Sequence, residues 1–140
     1  MQYTISKEIR SLVTNDGNIE LSIKSSKIPT PAADDVLIKV EAAPINPSDL
    51  GLLLSFAADI SSITTKGSGD ETKTTIKIHP ALMSAMNPRL GQSMQVGNEG
   101  AGVIVDAGAN VKDLIGKTVG LAGGAMYSLN IDVFQLQVVW

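Results

Sequence analysis

The chain has 140 residues, 44% of them apolar and 18% charged, with a net charge of −3. This is the composition of one globular domain, and no basic cluster could neutralise a row of phosphates, so nucleic acid is excluded as a partner. There is no cysteine and a single histidine, His79, which excludes disulfides, thiolate chemistry and zinc sites built on sulfur or on clustered imidazoles.

The N-terminus carries Lys7 and Glu8 where a signal peptide needs its apolar core. No apolar run approaches the roughly 20 residues of a membrane span. The expected location is the cytoplasm, with no membrane partner. Residues 7–14 and 18–25 predict a hairpin around Asn15-Asp16-Gly17, because an Asp-Gly step suits a tight turn. Ile19, Leu21 and Ile23 alternate with polar residues, as a half-buried strand requires. Pro29 and Pro31 interrupt the chain, and Val36–Ala43 reads as the next strand. Pro47, at a first helical position, predicts a short helix reaching about Leu54.

Residues 61–75 read as an exposed loop, since few apolar groups offset the entropy of ordering them. Ile76–Ile78 predicts a short strand. Pro80–Met86 predicts one or two helical turns with Leu82 and Met86 on one face. From Met94 the pattern is β again: Val103–Val105 is a strand, Gly108–Val111 a turn and Thr118–Ala122 a strand. Many short strands, glycines at the corners and little helix predict a mainly β, barrel-like fold. His79 precedes a proline and reads as a surface or core residue rather than a base. Met83, Met86 and Met94 read as fillers of apolar gaps.

Three phosphate-binding look-alikes fail. Gly116-Lys117-Thr118 has Val111 where a P-loop needs its first glycine. Gly67-Ser68-Gly69 has Thr72, and Gly100-Ala101-Gly102 has Val105, where a dinucleotide fingerprint needs its third. No Rossmann domain is expected within the chain.

Two segments carry a positive signal: Val36 through Asp49, ending Pro44-Ile45-Asn46-Pro47-Ser48-Asp49, and Val96-Gly97-Asn98-Glu99-Gly100-Ala101-Gly102-Val103-Ile104-Val105, continued by Gly116-Lys117-Thr118-Val119. In this order they resemble the catalytic domain of the medium-chain dehydrogenases/reductases, over about residues 30–127. The resemblance implies a GroES-like, partly open barrel with one or two short helices. Zinc members of that family place Cys at the position of Asn46 and His at that of Asn98. A neutral amide is a poor zinc ligand, so the resemblance points to the zinc-free, quinone-oxidoreductase-like branch, with no metal. In that branch hydride passes from NADPH to a quinone or an enone, and hydrogen-bond donors polarise the substrate oxygen in place of a Lewis acid.

The candidate catalytic donors are Asn46, Ser48 and Tyr127. The Asn46 amide could reach either the carbonyl or the nicotinamide, which makes it the candidate cofactor contact as well. The Asn46–Asp49 run also reads as an Asx-type turn and helix cap, a purely structural role. Asp49 is assigned a structural role at the helix start. Glu99 is the acid that the family retains, assigned here to anchoring its loop. Gly97, Gly100 and Gly102 are assigned to bending the strand at a barrel corner.

The pattern stops after Ser128. Residues 1–128 are read as the catalytic domain. Residues 129–140 form an atypical tail where members continue into a nucleotide-binding domain. Read one frame over, from the third base of each codon, permitted codon choices give residues that resemble the family's continuation. The expectation is therefore a frameshift as one origin for this tail, which the DNA sequence decides. The expectation is an oxidoreductase fragment, inactive alone and binding no cofactor tightly. Its uncovered interdomain face would invite self-association. The alternative is a GroES-like binding or assembly module without redox activity, since one barrel can host either function.

Overall fold

The computed structural model describes residues 5–97 and 99–122, and the backbone of 134–137. The strands are β1 (Ile5–Val13), β2 (Asn18–Lys27), β3 (Asp35–Ala42), β4 (Ala58–Lys66), β5 (Lys73–Ile78), β6 (Ser93–Gln95), β7 (Glu99–Ala107), β8 (Thr118–Ala122) and β9 (Phe134–Gln137). One α-helix, α1 (Pro47–Leu53), and three 3-10 segments complete the described residues. The strands form two open antiparallel sheets, in the orders β4-β5-β2-β1-β6 and β8-β7-β3-β9. The mainly β expectation holds, with the sheets not closed into a barrel.

The chain divides into two compact units. The first comprises Met1–Glu8, Ser25–Pro44 and Gly97–Trp140. Its centre is β3, where Val36, Leu37 and Ile38 are all buried. Neighbouring side chains on a strand point to opposite faces, so three in a row mean that both faces of β3 are covered. Val36 and Ile38 pack with Ile104, Ala107, Val111 and Leu121; Leu37 packs with Ile28. β7 runs antiparallel to β3 from Val36↔Ala107 to Ala42↔Ala101, with irregularities after Leu37 and after Val40. β9 lies along the other side of β3, with Asp35↔Gln137 and Ile38↔Phe134 in register.

The second unit comprises Ile9–Lys24 and Ile45–Val96. Val13, Ile19, Ala57, Ile76, Ile78 and Met86 form its core. The predicted hairpin is present as β1 and β2, each longer than the sequence suggested. Its turn is closed by Gly17 N–H on the Thr14 carbonyl at 3.2 Å and by Thr14 N–H on that of Asn18 at 2.8 Å.

Two expectations are corrected here. Residues 61–75 are not a loop: most belong to the β4–β5 hairpin, joined by a tight connection through the 3-10 turn Gly69–Glu71. β4 is an edge strand with mostly exposed side chains. It is therefore held by backbone pairing with β5, from Ala58↔Ile78 to Lys66↔Lys73, rather than by burial. Between Asp59 and Thr64 the register slips and the strand bulges. Ser62 closes this bulge: its Oγ accepts from Lys77 N–H at 2.7 Å and donates to the Asp59 carbonyl at 2.6 Å.

The second correction concerns Pro80–Arg89, a 3-10 segment in which Met86 is buried and Leu82 is exposed. Residues three apart align in a 3-10 helix, so Met83, not Leu82, joins Met86 against the core.

Candidate functional site

The first motif folds as the turn that enters α1. Asn46 has extended backbone angles as N-cap (φ −91°, ψ 159°), and Pro47 opens the helix. Proline suits that place, since its missing N–H would have no intrahelical partner there. Asp49 is fully buried and turns back: the Asn46 N–H donates to its Oδ2 at 2.7 Å. The Asp49 N–H in turn donates to the Asn46 carbonyl at 3.0 Å. This is the reach-back arm of a capping box, and it satisfies amides that a helix end otherwise leaves bare. Above this lock, Asn46 is half-buried and Ser48 is exposed. The turn therefore presents an amide and a hydroxyl side by side on a backbone fixed by Asp49.

The second motif begins β7. Gly97 has φ of +112°, a conformation that side chains rarely adopt. Glu99 is exposed and pairs with Ala122, and Gly100 pairs with Leu121. Gly102 sits opposite Val40 beside the irregularity in β3. A Cβ there would strike the Lys39 carbonyl oxygen, so glycine is what lets the two backbones approach. Asn46, Ser48 and Asp49 thus come together on one turn of the second unit, and Gly97, Glu99, Gly100 and Gly102 on one strand start of the first. Asn98 and Tyr127 lie outside the described residues.

Sequence reasoning missed the far end of α1. Ser11, fully buried in β1, donates its hydroxyl to the Leu52 carbonyl at 2.5 Å. Arg89 Nη2 donates to Ser11 Oγ at 2.9 Å, and Nη1 reaches the Gly51 carbonyl at 3.5 Å. No spacing rule could have found these partners, because Ser11 and Arg89 are 78 positions apart.

A cleft of about 630 Å³ lies elsewhere in the second unit, lined by the Asn15–Asn18 turn, Lys77, Ile78, Pro80 and Met83. It includes none of the candidate site residues. Among the described residues, no group of three or more acidic or His side chains stands together as a metal site, and no helix is long and apolar enough to cross a membrane.

No family model and no curated protein matches this chain. Solved structures do match. One is a protein from Bacillus thuringiensis described as a candidate NADPH:quinone reductase, with a TM-score of 0.56 and 21% identity, covering 96% of this chain and 32% of that one. Another, from Mesorhizobium loti and described in the same terms, has a TM-score of 0.54 and 21% identity, covering 98% of this chain and 36% of that one. The chain therefore spans about a third of the length of these structures and shares the fold of that third.

Proposed function

We propose that this chain is the substrate-side, GroES-like domain of a zinc-free NAD(P)H-dependent quinone or enone reductase, and that it works only beside a nucleotide-binding domain. The observation that carries the reading is a coincidence of sequence and fold. The Asn46–Asp49 and Gly97–Gly102 motifs occur in a chain almost all of which superposes on part of two candidate NADPH:quinone reductases.

NADPH, when bound, supplies the hydride. The chain's own residues prepare the acceptor. Asn46 offers an amide N–H to the substrate carbonyl or to the nicotinamide, and the Ser48 hydroxyl offers a second donor or a path for a proton. Tyr127 is the third proposed donor. Donors aimed at an oxygen that gains charge stabilise the transition state more than the ground state. Asp49 keeps their backbone fixed, so little reorganisation is needed as the charge develops.

The same geometry gives no support for holding the phosphates of NADPH. α1 has only seven residues, and the amide at its entry is already taken by the Asp49 carboxylate. Cofactor binding is therefore assigned to a nucleotide-binding domain outside these residues. One wall cannot position donor and acceptor alone. The purified chain should show no NADPH consumption with a quinone above the uncatalysed rate; steady turnover would contradict the reading. Exposed Ile45, Leu50 and Phe56, flanking and within α1, are the surface on which we expect copies to self-associate.

A further inference from the structure

α1 is two turns long and cannot hold itself together in water. Its entry is fixed by Asp49, as described above. Its exit is fixed by groups from two other elements. The Leu50 carbonyl accepts from the N–H groups of Leu54 and Ser55, both at 2.9 Å. The next two carbonyls have no local donors of this kind: Leu52 takes the hydroxyl of Ser11, from β1, and Gly51 takes the guanidinium of Arg89, from the end of the 3-10 segment.

The last turn of α1 contains no basic residue. Arg89 supplies the positive charge that a helix C-terminus favours. This placement has a cost, because burial pushes the pKa of its guanidinium down, and its buried Nε has no acceptor among the described residues. Its hydrogen-bond partners are a hydroxyl and a peptide carbonyl. A cation half-buried against neutral dipoles is an expensive way to make a core. What it secures is the position of one short helix.

We infer that Arg89 and Ser11 are positioning residues for the Asn46–Asp49 turn: they fix the exit of α1, and through a rigid two-turn helix they fix where Asn46 and Ser48 present their donors. The inference rests on the proposed function for its chemical meaning, but the clamp itself can be tested without it.

The experiment uses the 140-residue chain, wild type and with Arg89→Met, Arg89→Lys or Ser11→Ala. Amide hydrogen exchange reads the clamp. In Arg89→Met, exchange at Leu54 and Ser55 should rise about 10-fold, while Ile76 and Ile78 in β5 stay within about 2-fold. An equal rise at all four amides would overturn the inference, because Arg89 would then be a general stabiliser. Titration with 1,4-naphthoquinone, followed by NMR at the Asn46 side-chain amide and the Ser48 amide, reads the site. Affinity should fall about 5-fold or more in Arg89→Met and in Ser11→Ala and recover substantially in Arg89→Lys, which keeps the cation. Unchanged affinity in Arg89→Met, with a clear wild-type response, would overturn positioning while leaving the proposed function intact. No response at Asn46 or Ser48 in the wild type would mean that the turn engages a quinone only opposite a nucleotide-binding domain, as the proposed function allows, and the exchange data alone would then decide the clamp.

Discussion

β3 and β4 are strands of similar length in the same chain, and different forces hold them. β3 buries Val36, Leu37 and Ile38 on two faces and is paired on both sides, by β7 and β9. β4 lies at a sheet edge, with Ile60 and Ile63 exposed, and depends on backbone pairing and on the Asp59–Ser62 hydrogen bonds. The contrast shows that strand formation and burial are separable. A sequence advertises the first kind of strand through its apolar residues and conceals the second.

Matched truncations would break the comparison most sharply. Leu37→Ala in β3 should cost about 3 kcal/mol in denaturant unfolding, since it deletes a fully buried side chain. Ile60→Ala in β4 removes a comparable side chain and should change stability by less than about 0.5 kcal/mol. Similar losses at the two sites would refute the distinction. Gly102→Ala comes next in size after Leu37→Ala. Its methyl group would meet the Lys39 carbonyl, forcing β3 and β7 apart at a cost of about 2 kcal/mol. If the variant melts with wild type, the close approach is not required.

The smallest effect belongs to Asp59. Its carboxylate accepts from the Ser61 hydroxyl and N–H, at 2.6 and 3.0 Å. These bonds, with the charges of His79 and Lys77, hold its pKa below the ordinary 3.8. A depressed carboxylate pKa contributes stability that is fully present above the unfolded value and is lost as pH falls through the folded one. Asp59→Asn should therefore flatten the stability profile slightly below about pH 4 and leave it unchanged in slope near pH 7. A slope that differs from wild type near neutrality would contradict this assignment.

Much of the first unit was legible. Val36–Ala43, Val103–Val105 and Thr118–Ala122 declare themselves by β-branched apolar residues between turn formers, and β3, β7 and β8 lie there. Pro47 after Asn46 marked α1 to within a residue. In the insert between α1 and β6 only Ile76–Ile78, which lies in β5, was legible, and the rest was not, for two reasons. Ser, Thr and Lys on β4 look like solvent-exposed loop because they are solvent-exposed. Pro80–Met86 carries no sign that its period is three rather than 3.6. At the site, the sequence showed Asn46, Ser48 and Asp49 and their shared turn. The supports at Ser11 and Arg89 were hidden because contacts between distant elements leave no local pattern.

The central claim is that the Asn46–Asp49 turn presents donors to a carbonyl substrate once a nucleotide-binding domain stands opposite. It is tested most directly by grafting this chain in place of the matching third of the Bacillus thuringiensis protein and following NADPH oxidation with a quinone. The claim predicts turnover by the graft and a loss of about 100-fold in kcat on Asn46→Leu, the scale of removing one preorganised donor. A folded graft that binds NADPH but turns over no quinone, or turns it over equally well with Asn46→Leu, would contradict it.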